Sequence, residues 1–181
     1  MNSHEFQATM VQHVQAAFKT GKRRVLMNIP MGAGTHRILQ TLLSQHDGRV
    51  LCVFPKHGAL TAAGLNGLVK PQAVAGLPGV FPLAEPAHGL ATSRRVLKPE
   101  ALGAIAVDMD LLVLPNVGLE ESSVVDTLPL VEHIGAPRVL WTTYVSSVRF
   151  APFMAQIGID AVVDGVTHDT GRIHRASDID F

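Results

Sequence analysis

Five short runs dominated by Val, Leu and Ile recur along the chain, at 24–29, 49–54, 110–114, 138–142 and 159–163. They are mostly apolar rather than alternating, and each stops at a proline, glycine, threonine or polar residue. Runs of that kind suit strands covered on both faces, as in a parallel sheet. Between them the apolar positions fall at helical spacing. Over 6–19, Phe6, Met10, Val14 and the Ala17–Phe18 pair share one stripe, and over 35–45 so do Ile38, Leu39, Leu42 and Leu43. Two further segments, 122–133 (Val124, Val125, Leu128, Val131) and 146–156 (Val148, Phe150, Phe153, Met154), carry Pro129 and Pro152, each expected to kink or split its helix. Strand and helix therefore alternate, which predicts one α/β domain with a parallel sheet flanked by helices.

The stretch 55–99 breaks the rhythm. It holds six of the eleven prolines and many Gly and Ala, so short helices and loops are expected there, with 79–83 as an additional strand. The domain is expected to span 1–170. The polar segment 171–181 reads as a tail that frays.

Composition narrows the class. Of 181 residues, 47% are hydrophobic and 17% charged, which excludes a disordered tail or a charged coiled coil. Fifteen basic and fifteen acidic residues cancel. A general electrostatic grip on nucleic acid needs a basic excess, so only a local patch can supply one here. The single cysteine, Cys52, forms no internal disulfide and no cysteine zinc site; in its apolar run it reads as a small buried hydrophobe. The first residues lack a signal-peptide pattern and no apolar run is long enough to cross a membrane, so the expectation is a cytoplasmic protein without membrane association.

The most informative segment is 28–36, Asn-Ile-Pro-Met-Gly-Ala-Gly-Thr-His. It follows an apolar strand and opens an amphipathic helix, the context a phosphate-binding loop requires. In such loops glycines let backbone N–H groups surround phosphates at a helix N-terminus, a lysine neutralises them, and a Ser or Thr hydroxyl holds Mg²⁺. At this register, residues 30–36 resemble the nucleotide loop of superfamily 2 helicases and translocases, Pro-Thr-Gly-x-Gly-Lys-Thr. Gly32 and Gly34 match, but Thr35 stands at the lysine position and His36 at the metal-binding Thr position.

The neighbouring segments extend the resemblance over about 5–150. Phe6-Gln7 and the residues after them look like the Tyr-Gln-x-x-Ala opening helix of those enzymes, whose glutamine contacts adenine, and the distance from Gln7 to Gly34 suits the family. The segment 48–60 is similar to the strand and loop that lie along nucleic acid. The segment 110–118 looks like the strand ending in Asp-Glu-Ala-His, with Pro115 and Asn116 in place of the acidic pair. Val139-Leu-Trp-Thr-Thr-Tyr144 sits where the family has Leu-Thr-Ala-Thr.

The resemblance implies the first RecA-like lobe of such a helicase, without the second lobe and with its catalytic residues substituted. The second lobe normally supplies an arginine whose effect on rate is about 10³–10⁵-fold. With that arginine, the lysine, the metal-binding hydroxyl and the acidic pair all missing, no ATPase activity is expected, and no cofactor. If hydrolysis does occur, Asp108 and Asp110 are the first candidates for the acidic role.

Other features are weaker. Residues 138–166 also look like the end of a response-regulator receiver domain, which would act by dimerisation, although the strand at 110–114 closes on Pro115 rather than on a phosphorylatable Asp. Nine histidines show no His-Glu-x-x-His pairing; the densest group, His168, Asp169, His174 and Asp178, lies in the polar tail, and no metal is assigned. Ser122 and Ser123 after Glu120 and Glu121 suit a helix start. The basic residues Lys22, Arg23 and Arg24, with Arg37 and Lys56, are the candidate nucleic-acid contacts; any such binding is expected to be weak and salt-dependent. The expected function is thus a non-catalytic helicase-like module acting on a protein partner, a nucleic acid or both, with a nucleotide sensor that does not hydrolyse as the alternative.

Overall fold

A computed structural model describes residues 3–94, 105, 108–116, 127–144 and 147–165, with 147–150 described through their backbone. The strands are β1 (Arg24–Asn28), β2 (Val50–Phe54), β3 (Phe81–Pro82), β4 (Leu90–Ser93), β5 (Leu111–Leu114), β6 (Arg138–Thr143) and β7 (Ala161–Asp164). The helices are α1 (Ser3–Lys19), α2 (Thr35–Ser44), α3 (His57–Leu65), α4 (Leu128–Ile134) and α5 (Ser147–Met154).

The strands form one sheet in the order β3-β4-β2-β5-β6-β1-β7, parallel throughout except for the short antiparallel edge strand β3. Each of the five apolar runs becomes a strand, and β2 and β5 are buried at every position, as two-sided cover requires. Alternate residues then feed two cores. Val25 and Met27 of β1, with Ile29 just after it, meet Met10, Val14, Ile38 and Leu39 from α1 and α2 on one face. Leu26, with Leu112 and Trp141 from neighbouring strands, meets Val131, Ile134 and Met154 from α4 and α5 on the other. Burial of Cys52 in the first core pushes its thiol pKa up, so the side chain behaves as a hydrophobe.

Several expectations change. Receiver domains carry the strand order 2-1-3-4-5, with the second strand beside the first; here β1 lies between β6 and β7, and β2 pairs with β4 and β5. The receiver reading is therefore set aside. Strand β4 was not foreseen, because Leu90–Ser93 is short and sits in the proline-rich stretch; it adds to β2 and extends the sheet. Within 79–83 the strand is only Phe81–Pro82, with Leu83 forming an isolated bridge to Val69. Pro129 does not kink a helix: it stands in the first turn of α4, where its missing N–H costs nothing. Pro152 lies inside α5. The tail 171–181, the histidine group between His168 and Asp178 and the segment 120–123 lie outside the described residues.

Candidate functional site

Parallel strands place all their C-terminal ends along one edge of the sheet, where open α/β folds bind ligands. Among the described residues six segments leave that edge: the loop after β1, Lys56 after β2, Arg94 after β4, Pro115 and Asn116 after β5, Tyr144 after β6 and Gly165 after β7.

The loop from Pro30 to Gly34 turns tightly because two of its residues take left-handed backbone angles, Gly32 at φ 83° and Gly34 at φ 88°. The Ala33 N–H donates to Pro30 O at 3.1 Å, closing the turn. Gly34 then serves as the N-cap of α2 without a side-chain cap. Its carbonyl accepts the first helical bonds, from the N–H groups of Arg37 (2.9 Å) and Ile38 (3.1 Å). Among the described residues no acceptor meets the N–H groups of Gly34, Thr35 or His36. Met31 projects from the loop, 82% exposed. His36 is half-buried, and that burial lowers its pKa below the usual histidine range.

Gln7 reaches this loop from α1. Its Nε2 donates to Ala33 O at 3.1 Å and to Ser3 Oγ at 3.3 Å. The resemblance implies an adenine contact for Gln7; here its amide bonds the loop's own backbone.

Beyond β5, Pro115 is buried and Asn116 takes a left-handed φ of 54°. The Asn116 N–H donates to Thr142 Oγ1 of β6 at 2.9 Å. Strand β6 lies between β1 and β5, so Thr142 and Thr143 stand between the loop and the Pro115–Asn116 turn. The end of β5 thus offers a proline ring and an amide side chain. Among the described residues no cluster of three or more His, Cys, Asp or Glu is placed to hold a metal.

Asp108 and Asp110 precede β5 and lie at the opposite, amino edge. Asp110 Oδ2 accepts the Arg49 N–H at 2.6 Å, a turn-closing role remote from the loop. Two polar residues of the carboxyl edge were not singled out from sequence. Asp164, at the end of β7, and Asn28, at the end of β1, are in register and both buried. The Asn28 amide has neither its Nδ2 nor its Oδ1 paired. A polar residue closing an apolar strand is the signal that marks both.

The basic residues divide. Arg37 and Lys56 sit at the carboxyl edge, both exposed, while Lys22 and Arg23 precede β1 and Arg24 opens it, at the amino edge. Arg24 is committed to structure: its Nη1 donates to Ile157 O at 2.7 Å. The five cations do not make one patch.

No known family's sequence model matches this chain, and no curated protein matches it either. Solved structures do. The UvsW helicase from bacteriophage T4 superposes with TM-score 0.53 at 13% identity, over 88% of this chain and 58% of that one. The Pyrococcus furiosus Hef helicase domain superposes with TM-score 0.56 at 12% identity, over 88% of this chain and 38% of that one. The chain has the RecA-like α/β fold that both of those structures contain. It spans well under two-thirds of the length of either structure. Among the described residues no helix is long and apolar enough to cross a membrane.

Proposed function

We propose that this chain is a helicase-like module that has kept the fold and given up phosphoryl transfer, and that it acts through a protein partner. The observation carrying this reading is the chemistry of the carboxyl edge. A phosphoryl-transfer site needs a cation on the β/γ-phosphates, a hydroxyl and a carboxylate on Mg²⁺, and a group that orients water. At the matching positions the chain offers Thr35, His36, Pro115 and Asn116, and Asn116 is tied by its backbone to Thr142. Nucleic acid is a secondary partner in this reading, because the net charge is zero and the basic residues are split between two edges.

A phosphate-release assay on the purified chain, with Mg²⁺ and with single- or double-stranded DNA or RNA, tests the catalytic half. No turnover is expected. Mg²⁺-dependent turnover that disappears in a Gly34→Val variant would refute it. Affinity capture followed by reconstitution from purified components tests the partner half; a chain that binds nucleic acid tightly at high salt and no protein contradicts it.

The uncapped start of α2 favours one second reading. Unbonded N–H groups beside left-handed glycines accept anions, so the loop is suited to sensing a nucleotide without hydrolysing it. A thermal shift with ATP or ADP that does not need Mg²⁺ would support that reading over the first.

A further inference from the structure

The amino edge of the sheet, opposite the glycine loop, carries a surface cavity of about 240 Å³ beneath the C-terminal ends of α1 and α2 and the starts of β5 and β6. Its walls combine two kinds of group. Lys19, Arg138 and His46 bring nitrogen donors; Phe18, Leu42 and Leu111 bring apolar surface. We propose that this cavity binds a small molecule carrying a phosphate or carboxylate on a compact apolar or aromatic body.

The cations are available. Lys19 and Arg138 are both exposed, and among the described residues neither forms an ion pair. The Arg138 guanidinium lies 5.8 Å from the centroid of the Phe18 ring, a cation–π contact that holds its planar fork over the cavity wall. A fork so held is suited to bidentate capture of an oxyanion. The amides also contribute. Gln15 Nε2 donates to Gln45 Oε1 at 2.6 Å, which fixes Gln45 and leaves its NH₂ for a ligand.

His46 lines the cavity, with its Nε2 buried and without a hydrogen-bond partner, so that a ligand reaches that nitrogen only through a turn of the imidazole ring. Burial lowers the His46 pKa and Arg138 acts in the same direction, while Asp110 and Asp47 oppose them. Asp110 is already engaged by the Arg49 N–H. Helix-end electrostatics account for Lys19, which sits in the last turn of α1. They do not account for Arg138, which comes from a strand, or for the unpaired imidazole nitrogen.

The proposal does not rest on the reading of the glycine loop, which lies at the other edge. It is tested by NMR titration of the whole chain with phenyl phosphate, benzoate and inorganic phosphate at constant ionic strength, following the His46 imidazole and the Arg138 backbone. Saturable shifts are expected with phenyl phosphate or benzoate, and whichever is tighter names the anion. Inorganic phosphate should bind more weakly, since it cannot use Phe18, Leu42 and Leu111. Arg138→Gln and Lys19→Gln should each weaken binding by about tenfold while the remaining spectrum stays that of the folded chain. Shifts that never saturate, shifts unchanged in both variants, or shifts confined to Gly32–His36 would overturn it.

Discussion

A Cβ placed on Gly34 would come within 2.5 Å of Gln7 Nε2. Helix α1 and the glycine loop are therefore fitted to each other at a single point, where the same amide also bonds Ala33 O. Gly34 is doubly required: its φ of 88° disfavours any side chain, and Gln7 fills the space a side chain would take. Gly34→Ala should cost about 1–3 kcal/mol from the left-handed backbone and the displaced amide together. In a double-mutant cycle with Gln7→Ala by urea denaturation, the second substitution should recover part of that loss. Strict additivity would show that Gln7 and the loop are not coupled.

Rebuilding the loop tests the assignment of positions. Thr35→Lys with His36→Thr restores Gly-x-Gly-Lys-Thr on a helix start whose glycine geometry is already present. ATP affinity should rise about ten- to a hundredfold, from a charge-assisted contact of about 1.5–3 kcal/mol. Hydrolysis should remain absent, because Pro115 and Asn116 are unchanged. Calorimetry and phosphate release measure the two outcomes, and unchanged affinity would mean that this loop does not meet phosphates.

Stability should depend on pH through two histidines. Burial lowers the pKa of both His36 and His46 in the folded state. The unfolded chain, titrating near 6.5, thus binds protons that the folded chain refuses. Stability is full above that value and declines as the pH falls below about 6.5. Thermal melts between pH 7.5 and 5.5, taken as about one unit on either side of the histidine range, should show this fall. It should be shallower in His46→Gln and shallower again with His36→Gln added; equal slopes in all three proteins would contradict the burial argument.

The start of β1 hangs on one carboxylate. Asp160 accepts the N–H of Arg23 at 2.9 Å and of Arg24 at 3.0 Å, tying the strand to the turn before β7. Asp160→Ala should lower stability by about 1–3 kcal/mol, as loss of hydrogen bonds to a charged acceptor implies. Asp160→Asn keeps one carbonyl acceptor and should lose less. The urea midpoints of the two variants give the ranking.

The five apolar runs made the sheet legible, because a strand buried on both faces writes a continuous hydrophobic segment. Strand β4 escaped because four residues, Leu-Ala-Thr-Ser, carry too little apolar content to stand out among prolines. The family spacing singles out both Gln7 and the Gly32–Gly34 loop, but the bond between the Gln7 amide and Ala33 O depends on how α1 packs beside the loop. The separation of Lys22, Arg23 and Arg24 from Arg37 and Lys56 was not legible: strand direction alone decides which edge a flanking residue reaches, and that requires the topology. The same holds for Asp110, near Pro115 in sequence but at the other end of its strand. The unpaired nitrogen of His46 depends on packing between α2 and β6, which no local pattern encodes.

Strand β1 is made early and completed late. Its partners in the sheet are β6 and β7, which begin at Arg138 and Ala161. As the chain leaves the ribosome, Val25, Leu26 and Met27 have neither neighbouring strand until most of the sequence has emerged. The first strand must wait with both hydrogen-bonding edges open, so folding is dominated by contacts distant in sequence and is expected to be slow. Until then an unpaired strand with an apolar centre, Val25–Met27, stays open to association with other nascent chains.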